Sequence, residues 1–266
     1  MSRLEALLSD PRIPGEYVRF RIALLKAQID AFDAYKPGSK EFVFPLVKGT
    51  VAWDVPVALK IIEAVIAALF GMGKADAAAA PLLEKIKGSP GLIVRLADAS
   101  VFGPDIEEIS TIARETGTDV ESLLFFGRAI AAPFVARIAE QFNEAGNTDI
   151  NEVTCPVCGS APGIAFITGE DGNRKFTCAV CGTQWRGPRM KCVQCSSSTT
   201  LGFLKTGKDE TAWVETCDDC KSYIKTVDAR RLTDASALVE SISTLYLDIL
   251  AEQNGFTRAL PYAAMR

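Results

Sequence analysis

Residues 155–181 read CPVCGSAPGIAFITGEDGNRKFTCAVC, and residues 192–220 read CVQCSSSTTLGFLKTGKDETAWVETCDDC. Aligned on their first cysteines, the two stretches are one unit written twice. Each opens on a Cys-x-x-Cys pair, then places a serine five residues after the first cysteine (Ser160, Ser197) and a phenylalanine eleven after it (Phe166, Phe203). Each closes on Thr-Cys-x-x-Cys, at Thr177 and at Thr216. In the first copy, alternating residues 166–168 and 175–177 flank Glu170-Asp171-Gly172-Asn173, which predicts a β-hairpin. The second copy predicts the same from residues 203–205 and 213–215, turned near Gly207.

The duplication decides which cysteines belong together. Nineteen residues separate Cys158 from Cys178, and 21 separate Cys195 from Cys217. These intervals sit in or just beyond the C-x2-C-x15–20-C-x2-C range of tetrahedral metal sites. One four-cysteine site is therefore expected from Cys155, Cys158, Cys178 and Cys181, and a second from Cys192, Cys195, Cys217 and Cys220. Gly159 and Gly182 directly follow a pair and suit a turn that aims amide N–H groups at sulfur. Ser196 and Lys221 hold that place in the other two pairs, where a less ideal turn is expected. Each copy has roughly 30 residues, below the ~40 at which a domain folds without a metal or disulfides. A tetrathiolate metal contributes ~10–16 kcal/mol, enough to hold such a unit together. Redox chemistry of the thioredoxin type would place a pair at a helix start inside a βαβ unit, and the sequence predicts no such unit. Zinc and a single iron both suit four thiolates, and spacing does not separate them. Four protein ligands leave no open position, so hydrolytic metal chemistry is not expected and no catalytic residue is assigned.

The rest of the composition narrows the function further. The chain has 266 residues, 8 cysteines and no histidine. Zero His excludes Ser-His-Asp and Cys-His sites, HExxH zinc enzymes and imidazole switches. A formal charge of −4 and a pI near 5.2 argue against a phosphate backbone as the main partner. The start, MSRLEALLSDPRIPGEY, carries Glu5 and Asp10 where an apolar signal core would lie. The most apolar stretch, 55–73, contains Lys60 and Glu63 and two glycines, so no membrane span is expected. These features predict a cytoplasmic chain, in a reducing compartment where paired cysteines bind metal rather than form disulfides.

Upstream of the cysteines, residues 1–150 read as a helical domain. Tyr17, Phe20, Leu24, Ile29 and Phe32 approximate a stripe that KPGSK (36–40) ends. Further helices are predicted over 55–70, in the Ala-rich 75–83, and from Pro104 to Gly117 with Ile106, Ile109 and Ile112 on one face. The strongest periodicity is Phe126, Ile130, Phe134, Ile138 and Phe142, a bundle-core stripe opened by a Thr118–Glu121 capping box, bent at Pro133 and stopped at Gly146. Residues 147–153 read as a linker. Residues 233–254 read as one closing helix with Leu238, Ile242, Leu245 and Ile249 sharing a face, stopped by Gly255. Asp248 and Glu252 read as solvated helix residues. Trp185-Arg186-Gly187-Pro188-Arg189-Met190-Lys191 joins the two copies and reads either as a contact surface for an anionic ligand or a partner protein, or as a basic linker whose Trp packs on a ribbon, with Arg174 and Lys175 extending the patch.

Several motifs resemble one known family. CPVCGSAP (155–162), Gly172 and Arg174 before the second pair, Trp185 and Arg189 before Cys192, ETCDDCKSYIKTVD (215–228), Leu245 to Asp248 and Glu252 to Phe256 are similar to the formate dehydrogenase accessory protein family, FdhE. Tyr246 departs from the pattern, at a position where proline is expected. The resemblance implies rubredoxin-like sites associated with iron, with the eight cysteines as ligands. It also implies a cytoplasmic maturation factor that engages the catalytic subunit of formate dehydrogenase. Trp185, Arg186 and Arg189 are carried over as a partner-contact patch.

The expected architecture is therefore a helical domain (1–150), two rubredoxin or zinc-ribbon modules (151–187 and 188–230) and a C-terminal helix and tail (231–266). The expected function is a non-enzymatic assembly chaperone with two metal ions, iron favoured by the resemblance and zinc as the alternative. Two other readings stay open: an iron electron-transfer or redox-sensing protein, and a zinc-ribbon nucleic-acid binder.

Overall fold

A long central helix organises the amino-terminal half. The computed structural model describes residues 2–38, 41–71, 79–144, 150–207 and 211–259. Its helices there are α1 (Ser2–Ala6), α2 (Gly15–Ala34), α3 (Val55–Gly71), α4 (Ala79–Gly88), α5 (Gly91–Ser100), α6 (Ile106–Thr116) and α7 (Val120–Glu144). The stripe of α7 forms the core: Phe126, Ile130, Phe134, Ile138 and Phe142 are all buried. Tyr35 and Trp53 meet the Phe134 ring edge-on, at centroid distances of 4.7 and 5.5 Å. Pro133 sits inside α7 without ending it. Among the described residues α7 is the one helix long and apolar enough to cross a membrane, and 61 % of its apolar window is buried within the protein.

Local chemistry sets the helix ends. Asp105 caps α6 by accepting the Glu108 amide at 3.0 Å, and Gly117 ends it in the left-handed region at φ 71°. The α7 cap differs from the expected capping box. Asp119, one residue later than Thr118, accepts the Ser122 amide at 2.8 Å and leaves Thr118 buried beneath it. Helix α5 was not expected from the sequence. It crosses α7 where Gly127 has no side chain: a Cβ there would lie 1.9 Å from Ser100 Oγ and 2.8 Å from the Leu96 carbonyl. Ile29 and Ile106 of the expected stripes face outward, whereas Phe20, Leu24, Ile109 and Ile112 are buried. Gly146, the expected stop of α7, and residues 75–78 of the Ala-rich stretch lie outside the described residues.

Both cysteine-bearing hairpins form as expected, and they then share one sheet. The strands are β1 (Pro162–Thr168), β2 (Asn173–Cys178), β3 (Gln184–Arg186), β4 (Leu201–Leu204), β5 (Ala212–Cys217), β6 (Ser222–Asp228) and β7 (Thr257–Arg258). Their order is β3-β2-β1-β6-β5-β4, with β7 beside β6. The hairpin pairs are antiparallel, and the seam between the two copies is a short parallel pairing of Ala165 with Thr226 through Ile167 with Asp228. All seven residues of β6 are buried, as a strand with neighbours on both edges and packing on both faces should be.

The closing segment is two helices rather than one. α8 (Ala237–Ser243) and α9 (Leu245–Gln253) are separated at Thr244, whose hydroxyl donates back to the Glu240 carbonyl at 2.6 Å. The break rotates the second helix, so its inward face is Leu247, Asp248 and Ala251 while Ile249 is exposed. α8 packs with Leu4 and Val18 from α1 and α2 and with Ile13 from the turn between them, and α9 covers the sheet at Ile164, Val214 and Tyr223. Tyr246 falls in the first turn of α9, where a proline is also tolerated, and stacks under Arg12 at 5.8 Å. Gly255 follows α9 at φ 81°.

Asp248 corrects the expectation of a solvated carboxylate. Its Oδ2 accepts from Lys225 Nζ at 2.5 Å and its Oδ1 accepts from the Tyr223 hydroxyl at 2.8 Å, both from β6. Lys225 also donates to the carbonyls of Ser241 and Thr244, so its buried ammonium has three acceptors. Ion pairing, not solvation, places this carboxylate, and it fastens α9 to the sheet.

Candidate metal centres

Each Cys-x-x-Cys pair folds into a knuckle whose geometry the backbone largely dictates. The amide of the first cysteine donates to the carbonyl five residues on: Cys155 to Ser160 at 2.8 Å, Cys178 to Thr183 at 2.9 Å, and Cys192 to Ser197 at 2.8 Å. Closing this turn demands a left-handed residue directly after the second cysteine. Gly159 and Gly182 adopt it at φ 69° and 70°. Ser196 and Lys221 adopt the same conformation at 61° and 54°, so the non-glycine knuckles form the same turn at a steric cost. Inside the turns, amides point at sulfur: Val180 N–H to Cys178 Sγ at 3.4 Å and Gln194 N–H to Cys192 Sγ at 3.3 Å.

The hairpins bring the knuckles together in two clusters, Cys155, Cys158, Cys178 and Cys181, and Cys192, Cys195, Cys217 and Cys220, with all sulfurs of a cluster within 4.8 Å of one another. In the first, the Sγ separations include 3.4 Å (Cys158–Cys178), 3.6 Å (Cys155–Cys181) and 3.8 Å (Cys158–Cys181). In the second they include 3.5 Å (Cys192–Cys220) and 3.6 Å (Cys195–Cys217). A tetrahedron with metal–sulfur bonds of ~2.3 Å has an edge of ~3.8 Å, so the donor sets fit a tetrathiolate ion. The same separations are far beyond the ~2.05 Å of a disulfide.

Electrostatics points the same way. Burial pushes the Cys178 and Cys181 thiols well above their ordinary range, while hydrogen bonds from Cys155, Cys178 and Cys181 hold Cys158 well below it. Thiols packed this closely do not ionise together on their own, and a bound cation reverses that preference.

A ring of hydroxyls surrounds the sulfurs. Ser160 Oγ lies 3.3 Å from Cys158 Sγ, Thr183 Oγ1 3.0 Å from Cys181 Sγ, and Ser222 Oγ 3.0 Å from Cys220 Sγ and 3.4 Å from Cys192 Sγ. The signal was in the sequence, because a Ser or Thr stands two residues after the second cysteine of every pair: Ser160, Thr183, Ser197 and Ser222. The repeat comparison found Ser160 and Ser197 and missed the other two.

The residues expected to form a basic contact patch separate. Trp185 is 1 % exposed; its ring packs on Phe176 at 5.5 Å and its Nε1 donates to the Glu152 carbonyl at 2.9 Å. The indole therefore supports the knuckle from inside and is not a surface contact. Arg186 and Arg189 are exposed, and Arg189 donates to the carbonyls of Asp171 and Gly172 across the hairpin turn. Arg174 is buried rather than part of a patch. Its guanidinium pairs with Glu215 Oε2 at 2.5 Å, covers the Phe176 ring at 4.6 Å and donates to the carbonyls of Pro188 and Lys191. Glu215 in turn accepts from Thr226 Oγ1 at 2.6 Å, so this buried chain links β2, β5 and β6. Alternating strand positions with complementary partners drew these polar groups inward, which charge alone does not reveal.

Comparison with known proteins agrees with this geometry. Residues 154–189 match the sequence model described as FdhE, central domain, and residues 190–264 match that described as FdhE, C-terminal domain. The chain is 31 % identical over 141 residues to the FdhE homolog of Edwardsiella ictaluri, covering 51 % of this chain and 46 % of that protein. It is 36 % identical over 109 residues to the FdhE homolog of Aquifex aeolicus, covering 39 % of this chain and 38 % of that one. The matches thus span less than half of either relative's length. The crystal structure of the FdhE protein from Pseudomonas aeruginosa shares the fold, with a TM-score of 0.65, 22 % identity, and coverage of 98 % of this chain and 93 % of that one. Both four-cysteine hairpins and the helices that clamp them thus lie in the part of the chain, residues 154–264, that is similar to the FdhE family.

Proposed function

We propose that this chain is a non-enzymatic maturation factor for formate dehydrogenase, binding the immature catalytic subunit in the cytoplasm, and that its eight cysteines hold two tetrathiolate metal ions. The observation that carries the metal reading is the pair of thiol clusters at tetrahedral spacing, each closed by four protein ligands. A cation there neutralises the thiolates and cross-links two knuckles of one hairpin. With the sulfurs held as thiolates, which can only accept, the hydroxyls of Ser160, Thr183 and Ser222 beside them would donate and spread the remaining negative charge. Iron is the ion favoured by the resemblance to FdhE, and zinc is the alternative. The proposed units are a helical domain (1–150), two metal modules (151–187 and 188–230) that share a sheet, and a closing segment (231–266).

The similarity of residues 154–264 to FdhE supports the chaperone role. For the contact surface, Arg186 and Arg189 are retained as exposed groups on the β2–β3 side, with Trp185 as their support. The test is co-purification of the catalytic subunit with wild-type chain and with Arg186→Ala/Arg189→Ala chain. Retention by wild type and loss with the arginines supports the reading, and a folded wild type that never retains the subunit overturns it. The exposure of Cys195 favours one second reading, iron-based electron transfer, since it brings the second cluster close to solvent. A colourless protein with two zinc ions after growth with both metals would remove that reading. The burial of Arg174 weakens the nucleic-acid reading further.

A further inference from the structure

The two thiol clusters are alike in spacing and unlike in enclosure. In the first, Cys155, Cys158, Cys178 and Cys181 are 1 %, 1 %, 4 % and 5 % exposed, and they belong to the same apolar core as α3, α5 and α7. Val157, inside the first knuckle, accepts the Leu46 amide at 2.7 Å, so the loop between α2 and α3 lies across that knuckle. Reaching this cluster means parting the helices from the sheet. In the second cluster Cys192 and Cys217 are buried, but Cys195 is exposed and Cys220 half-buried. The residues beside these two, Ser196, Ser198, Asp218, Asp219 and Lys221, are all exposed.

We infer that the second centre is an exchangeable metal site that admits an incoming ligand, a thiol or a chelator, through its Cys195–Cys220 face, whereas the first is closed and serves the fold. The inference rests on the reading of both clusters as metal centres. In the exchange step Cys195 gives up its metal–Sγ bond and takes the proton released by the incoming thiol, whose sulfur makes the replacement bond. Neither metal nor sulfur changes oxidation state. The cluster keeps three ligands throughout, held by the Cys192 and Cys217 knuckles and by Cys220.

The experiment loads the full chain with zinc, confirms the ion count, and adds excess EDTA with N-ethylmaleimide. Released zinc and alkylated peptides are followed together by mass spectrometry. The expected result is two ions per chain, one leaving ~100-fold faster than the other, because the slow one awaits sub-global opening. Alkylation should begin at Cys195 and Cys220 and reach residues 155–181 only with the slow phase. Cys195→Ser chain should retain the slow ion and lose or loosen the fast one. Two ions released at one rate, or first alkylation within 155–181, overturns the inference while leaving the metal reading intact. A folded chain that takes up no zinc or iron overturns the metal reading and this inference with it.

Discussion

Replacing Asp248 by alanine tests whether the closing helices are held by a buried charge pair. The Lys225 side chain is 1 % exposed and its ammonium lies 2.5 Å from Asp248 Oδ2. Without the carboxylate, that ammonium keeps only the Ser241 and Thr244 carbonyls, and the Tyr223 hydroxyl loses its acceptor. Breaking a buried pair from one side costs ~3–5 kcal/mol. The two remaining carbonyls place this case near the lower end, about 3 kcal/mol. For a chain of this size that corresponds to a fall in Tm of roughly 6–12 °C. Removing both charges, as Lys225→Met/Asp248→Ala, leaves no unpaired charge and is expected to recover much of the loss. The assay is thermal and urea unfolding of wild type, both single variants and the double variant at one fixed metal loading. A double-mutant cycle then reads the coupling. An Asp248→Ala chain within about 0.5 kcal/mol of wild type, or a double variant whose loss equals the sum of the singles, would falsify the strut.

Three further outcomes follow from particular residues. Burial takes the Lys225 pKa down to about 8 from 10.5, so the unfolded chain binds more protons between those values. Stability relative to Lys225→Met should therefore rise with pH from 8 towards 9.5, by up to ~1.4 kcal/mol per pH unit; a flat or falling difference contradicts it. Gly127→Leu drives a side chain into Ser100 and the α5 backbone, and it should lower stability by ~1–3 kcal/mol in urea unfolding, against no change if that crossing is loose. Ser196→Gly and Lys221→Gly relieve left-handed backbone at φ 61° and 54° and should each raise the unfolding free energy of the metal-loaded chain by ~1 kcal/mol, unless those knuckles open into another conformation.

The sequence carried the local design of this protein more fully than its long-range joins. The α7 stripe was legible because aromatic and aliphatic residues recur at helical spacing and all of them reach the core. Both hairpins and the grouping of the cysteines were legible because the repeat encodes them locally. The parallel seam between Ala165 and Thr226 was not, since it joins two strands whose own hairpins already account for their patterning. Helix α5 hid because its ten residues are short and its fit depends on the bare backbone of Gly127. Arg174 and Asp248 were read outward because charged side chains usually are, and Trp185 was open between a surface contact and a packed indole. Each found Glu215, Lys225 or the Glu152 carbonyl waiting inside, and only the folded arrangement supplies those partners. The difference in exposure between the two thiol clusters has the same origin, because it arises from where the helical region packs.

Whether the eight cysteines form two four-sulfur metal centres is read out by X-ray absorption on metal-replete protein together with its metal content. Two ions per chain are expected, each with four sulfur neighbours at ~2.3 Å and no oxygen or nitrogen ligand. One ion or fewer per folded chain, or a first shell containing light atoms, would contradict it.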